Sequence, residues 1–130
     1  MAAAETRLIH LDTNFLVDIG AAKPATVRRV EEWLRDDFTI QVSAIAWSEY
    51  LCGPLLDFEL ALARALVHSV DAFIEEHATL AGELFNLTGR RQRSHTDCMI
   101  AAHAIRREAA LATNNMADFR PFQKFGLQLA

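Results

Sequence analysis

Short apolar runs alternate along this chain with longer stretches of helical periodicity, and this alternation limits the possible folds more than any other feature. Leu8-Ile9-His10-Leu11 reads as a buried strand entering the turn Asp12-Thr13-Asn14. Phe15 to Gly20 reads as a short helix closed by Gly20. Pro24 opens a helix over Ala25 to Arg35, with Val27, Val30 and Leu34 at helical spacing. The β-branched run Phe38 to Ser43 predicts a second strand. Ser43 suits the cap of a helix that starts at Ala44 and ends by Gly53-Pro54. From Asp57 a further helical pattern places Leu60, Ala63, Val67 and Val70 on one face, and a short strand is expected within Val70 to Ile74. Leu80, Ala81, Leu84, Phe85 and Thr88 mark another helix, ended by Gly89. A helix over Thr96 to Glu108, a strand over Ala110 to Thr113, the turn Asn114-Asn115 and a last strand around Phe125 to Leu129 complete the pattern. Strands separated by helices imply right-handed crossovers and a parallel sheet covered on both faces, an α/β fold.

Composition narrows the function classes. At 130 residues and 52% hydrophobic, the chain suits one domain, residues 1–130, with a real core. The net charge of −4 argues against a nucleic-acid binder held by bulk charge alone. It leaves room for a nucleic-acid enzyme whose carboxylates are offset by metal ions. Cys52 and Cys98 have no zinc spacing and make no disulfide scaffold, which fits a reducing cytoplasm. Glu5 and Arg7 stand where a secretion signal would need its apolar stretch. The most apolar window, Phe38 to Leu56, is interrupted by Gln41, Glu49 and Gly53-Pro54, so no membrane span is expected.

In wound α/β folds ligands collect at the carboxyl ends of the strands, near the switch in strand order. Asp12 directly follows the first strand, and Glu49 is the only charged residue between Asp37 and Asp57. Asp97 lies in the first turn of the late helix, and Asn115 and Asp118 follow the late strand. Carboxylates gathered at one edge repel one another, and a hard divalent cation such as Mg²⁺, which prefers oxygen ligands, supplies the compensation. Each acid also has a plainer reading. Asp12 and Asn14 suit helix capping, and Glu49 suits a solvated helix face. Ser94-His-Thr-Asp97 fits a capping box, and Asp118 fits an ordinary turn. Against capping alone, Asp97 shares a helix face with Ile100, Ala101, Ala104 and Ile105, where a carboxylate needs a partner.

Four motifs follow in order: Leu11-Asp12-Thr13-Asn14, Ser43-Ala-Ile-Ala-Trp-Ser-Glu49, Thr96-Asp97-Cys-Met-Ile-Ala-Ala102, and Ala112-Thr113-Asn114-Asn115-Met-Ala-Asp118-Phe119. Together they resemble a PIN-domain ribonuclease of the VapC toxin type, over Leu8 to Leu127. The resemblance implies a three-layer α/β/α fold with a central parallel sheet of about five strands. It implies RNA cleavage with Mg²⁺ or Mn²⁺, a small antitoxin seated in the active-site groove, and a homodimer. Asp12, Glu49 and Asp97 fall on the three acidic metal ligands of the family. The fourth family position falls on Asn115, whose uncharged amide suits holding a water or orienting a neighbour, and Asp118 matches a further acid. Thr13, Asn14 and Thr113 flank these positions and are expected to support them.

Arg90, Arg91 and Arg93 precede Asp97 and suit either RNA phosphates or a helix C-terminus that favours cations. The histidines His10, His68, His77, His95 and His103 show no HExxH or paired spacing, so zinc is not expected, although His95 is near Asp97 in sequence. Metal-assisted phosphodiester hydrolysis is the mechanism this pattern favours. The rival is a noncatalytic PIN-like module that binds RNA or protein. A haloacid-dehalogenase-type phosphatase would need Asp-x-Asp, and Asp12 is followed by Thr13-Asn14. A receiver domain would need a lysine after a late strand, where neither Lys23 nor Lys124 sits.

Overall fold

The computed structural model describes residues 6–130, so Met1 to Glu5 of the charged N-terminal stretch lie outside the described residues. The elements run β1 (Leu8–Leu11), α1 (Thr13–Gly20), α2 (Pro24–Arg35), β2 (Thr39–Ser43), α3 (Ala44–Cys52) and α4 (Asp57–Leu66). They continue as β3 (Ser69–Asp71), α5 (Glu75–Leu87), α6 (His95–Arg106), β4 (Ala110–Ala112), α7 (Met116–Phe119), a 3₁₀ segment (Arg120–Phe125) and β5 (Gln128–Leu129).

The five strands form one sheet in the order β3-β2-β1-β4-β5, and every pairing is parallel. Ile9 is in register with Ile40 on one side and Ala110 on the other. The order reverses between β1 and β4, so the crevice of this sheet opens beside the ends of those two strands. Ile9, Leu11, Ile40, Val42 and Leu111 are buried with Phe15 and Leu16 of α1. The small residues Ala101, Ala102 and Ala104 let the buried face of α6 approach closely. Ser43 caps α3 as its sequence suggests, its Oγ accepting from the Ala46 amide at 3.1 Å.

Local differences from the sequence reading have physical reasons. The third strand is Ser69–Asp71 rather than a stretch within Val70 to Ile74. Helix α4 stops at Leu66, so Val70 belongs to that strand and not to the helix face. The final strand shrinks to Gln128–Leu129 because Arg120–Phe125 winds as a 3₁₀ segment, released at Gly126 with φ +109°. Gly20 is the last residue of α1, and the left-handed residue beyond it is Ala22, φ 55°. A Cβ at position 20 would lie 2.9 Å from Glu59 Oε2, the movable end of a side chain, so the glycine there eases packing against α4 without being imposed by the backbone. Gly89, φ +88°, ends the α5 region as expected. Among the described residues no helix is long and apolar enough to cross a membrane, and both cysteines are free, Cys98 buried and Cys52 exposed.

Candidate active site

Asp12 leaves β1 at the switch point. Its amide donates to the Ala112 carbonyl at 2.9 Å, which carries the β1–β4 pairing one residue past the strand. Its carboxylate is 4% exposed and fully engaged on one side: Oδ1 accepts from the Thr13 amide at 2.8 Å, and Oδ2 accepts from Thr113 Oγ1 at 2.9 Å. Asp12 is the N-cap of α1, so the capping role read in the sequence is present, and it uses only one of the two carboxylate oxygens.

Two threonines extend this contact into a network. Thr13 Oγ1 donates to Glu49 Oε1 at 2.8 Å, tying α1 to the exposed end of α3. Thr113 Oγ1 also accepts from the Asn115 amide at 2.9 Å, and Asn115 Nδ2 donates to Asp118 Oδ2 at 2.5 Å. A chain of contacts thus runs from Asp118 through Asn115, Thr113, Asp12 and Thr13 to Glu49. The Asn115 side chain is thus spent on Asp118 in this chain of contacts. Asn14 is exposed and lies outside this chain.

Asp97 joins the cluster through its field rather than through hydrogen bonds. It sits half-buried in the first turn of α6. Burial pushes its carboxyl up to about 7, reinforced by the charges of Asp12, Asp118 and Glu49 and opposed by Arg91. Burial also raises Asp12, against the two hydrogen bonds that favour its charged form. The capping box expected of Ser94 and Asp97 does not form. Ser94 has helical backbone angles, φ −96° and ψ −6°, and its Oγ donates to the Arg91 carbonyl at 2.7 Å. Arg93 just before it is left-handed at φ 65°, which turns Ser94 away from an extended cap.

The basic run divides. Arg91 faces Asp97 electrostatically, whereas Arg90 folds back over the Phe85 ring and bonds Asn86 at the end of α5. Arg93 is exposed, and so is His95, whose ring meets Phe85 edge-on. A residue missed in the sequence is Asn114, read only as a turn. Its Nδ2 donates to Asp18 Oδ2 at 2.6 Å and Thr26 Oγ1 at 3.1 Å, pinning the loop after β4 to α1 and α2. Lys23 Nζ holds the other Asp18 oxygen at 3.0 Å.

The donor set of Asp12, Glu49, Asp97 and Asp118 is all oxygen and carries mutual repulsion that no nearby arginine cancels for Asp97. This fits a hard divalent cation. A second group of possible ligands lies elsewhere, and linear spacing gave no sign of it. One ligand atom from each of His10, Asp71 and His103 lies within 4.8 Å of the others.

A family model described as "PIN domain" matches residues 9–121. A search of curated proteins finds no significant relative. Among solved structures, VapBC2 from Rickettsia felis, bound to a DNA fragment from its promoter, aligns with TM-score 0.74 at 23% identity, covering 95% of this chain and 97% of that one. VapBC-1 from nontypeable Haemophilus influenzae aligns with TM-score 0.71 at 20% identity, covering 95% and 96%. DNA-bound VapBC from Salmonella typhimurium aligns with TM-score 0.69 at 23% identity, covering 94% and 96%. With its fold shared nearly end to end and the family matched from residue 9 to 121, the chain belongs to the PIN-domain family.

Proposed function

We propose that this protein is a metal-dependent endoribonuclease and the toxin half of a toxin–antitoxin pair. The observation that carries the reading is Asp97, half-buried and pushed up to about 7 amid Asp12, Glu49 and Asp118 at the switch point of the sheet. A carboxylate held this far from its ordinary range by burial, with like charges beside it adding to the shift, is poised for a cation.

Asp12, Asp97 and Glu49 would hold Mg²⁺, with Mn²⁺ as substitute, and Asp118 and Asn115 would complete the rim. With a cation held by these residues, the site would gain an acidified water and an offset for the charge that develops on the phosphoryl oxygens. The chain's own part is positioning. Thr113 and the Thr13 amide fix both oxygens of Asp12. Thr13 aims Glu49 toward the same space, and Asn115 restrains Asp118. Arg91, beside Asp97, suits an RNA phosphate entering this edge, with Arg90 and Arg93 farther along the same exposed turn. Hydrolysis by water makes the 2′-hydroxyl a bystander and leaves a 5′-phosphate and a free 3′-hydroxyl.

Solved structures of the same fold are VapBC assemblies, which supports a small antitoxin as partner. An apolar trough of about 360 Å³ between α1, α2 and α4, lined by Ile19, Val27, Val30, Leu34, Leu62 and Leu66, suits the apolar face of such a segment. A basic side chain from the antitoxin would take the cation's electrostatic place among the acids. A homodimer and a cytoplasmic setting complete the reading.

The test is cleavage of structured RNAs by the purified protein, with mass spectrometry of the ends. Activity should vanish on chelation, return with Mg²⁺ or Mn²⁺, and yield 5′-phosphate products. Full activity after exhaustive chelation, or 2′,3′-cyclic phosphate ends, would overturn the mechanism.

A further inference from the structure

The register of the sheet places a group of polar side chains on one face of neighbouring strands. His10 on β1 is in register with Gln41 on β2, Gln41 with Ser69 on β3, and Ser43 with Asp71. Alternation along each strand therefore puts His10, Gln41, Ser69 and Asp71 on the same side of the sheet. Helices α5 and α6 add His77 and His103 to this group. The His103 ring stacks on His77 with centroids 4.2 Å apart and meets His10 edge-on at 5.0 Å.

His103 is 0% exposed, and neither of its ring nitrogens has a hydrogen-bond partner. A buried polar group is normally paired, so two orphaned nitrogens in one ring call for an explanation. From Asp71 Oδ2, His103 Nε2 lies 3.9 Å away and His10 Nε2 lies 3.6 Å away. Gln41 Oε1 is 3.2 Å from His10 Nε2. In a tetrahedral site with bonds of about 2.0–2.1 Å, neighbouring ligand atoms stand about 3.4 Å apart. The two histidine nitrogens thus lie within about half an ångström of that spacing from Asp71 Oδ2, and all three ligand atoms lie within 4.8 Å of one another, so modest side-chain shifts would let them ligate one ion.

We propose that His10, Asp71 and His103 form a second divalent-metal site, for a borderline transition ion of the Zn²⁺ class, separate from the acidic cluster. Two imidazoles and one carboxylate favour such an ion over Mg²⁺, which prefers an all-oxygen set. One of the two unpartnered ring nitrogens of the buried His103 carries a lone pair that is free to ligate. Gln41 Oε1 or a water takes the fourth position. A cavity of about 350 Å³ reaches Asp71, His77 and His103 from solvent, rimmed by Glu76, Arg106 and Arg107. Arg107, 46% exposed, now donates to Asp71 Oδ2 at 3.1 Å, and the ion would displace it from that oxygen. Bound there, the ion would tie β1 and β3 to α6, the strand and helix that also carry Asp12 and Asp97.

The test titrates full-length, tag-free protein with Zn²⁺ by calorimetry and with Co²⁺ by visible absorption. Parent, Asp97→Asn, Asp71→Ala and His103→Gln are compared, with the fold of each checked by circular dichroism. One equivalent of Zn²⁺ should bind the parent and Asp97→Asn alike, with an intense tetrahedral Co²⁺ spectrum. Asp71→Ala and His103→Gln should each weaken binding by more than about 10-fold. Should His103→Gln fail to fold, Asp71→Ala decides alone, because Asp71 is an edge-strand side chain open to the cavity. No stoichiometric Zn²⁺ in the parent, loss of Zn²⁺ in Asp97→Asn, or undiminished binding by Asp71→Ala would overturn the proposal.

Discussion

The two polar clusters on this sheet differ in how their groups are satisfied. At the strand ends, Asp12 is held from both sides by Thr13 and Thr113 and communicates with Glu49 and Asp118 through hydrogen bonds. On the face beneath α5 and α6, His103 is wholly enclosed with both nitrogens unpaired. Both clusters store unfavourable energy, but of opposite kinds. The acids suffer too much negative charge for their burial. Burial keeps His103 from protonation, and neither of its nitrogens has a hydrogen-bond partner. A cluster that repels itself at an open crevice is suited to recruit a hard cation and release product. A buried, nitrogen-rich cluster reached through one cavity is suited to hold a softer ion.

The largest effect should come from charge removal in the first cluster. Asp97→Asn preserves shape, relieves repulsion and removes one ligand charge. Cleavage should fall by about 10²–10³-fold, measured as kcat on a structured RNA, while the chelated variant melts no lower than the parent. A variant as active as the parent would remove Asp97 from the chemistry.

Next in size is the pH dependence of stability in chelated protein, where the clusters act in opposite directions. The folded value of Asp97, near 7, lies above its ordinary 3.8, so its contribution destabilises the native state as pH rises from about 4 to 7. For this half-buried group the loss is on the order of 1–2 kcal/mol after solvent screening. His103, near 3, lies below its ordinary 6.5, so its contribution is complete above pH 6.5 and is lost as pH falls toward 3. That loss is on the order of 2–4 kcal/mol. Urea melts across pH should show Asp97→Asn removing the first dependence and His103→Leu the second. Identical profiles for all three proteins would erase the contrast.

A smaller effect is expected of Thr113→Val, which leaves Asp12 Oδ2 and the Asn115 amide without their shared partner. Stability should drop by about 1–3 kcal/mol in denaturant melts, with activity reduced by roughly 10-fold or more. Arg91→Gln should do least, raising KM by roughly 2–5-fold and flattening its salt dependence, because one exposed phosphate contact is lost.

Asp12 and Asp97 stood out as candidates in the sequence because each stands at an element boundary, Asp12 after β1 and Asp97 in the first turn of α6, whereas Glu49 lies within α3 and is marked by being the only charge in its stretch. The alternation of strands and helices likewise gave the parallel sheet. What sequence could not carry was parity across strands. His10, Asp71 and His103 lie on three elements far apart in the chain, and only the β1–β2–β3 register brings the first two to one face. The limits of the three-residue β3 were equally hidden, since so short a strand is fixed by pairing to β2 rather than by its own pattern. The capping box at Ser94 failed because the left-handed Arg93 sets a backbone direction that motif matching does not see.

The most direct test of the central claim is the location of Mn²⁺ in a crystal soaked with that ion, read from anomalous scattering at its absorption edge. The account predicts a peak bounded by the carboxylates of Asp12 and Asp97 with Glu49 at its edge, absent in Asp97→Asn crystals. No Mn²⁺ among these acids in a crystal of active parent protein would contradict it.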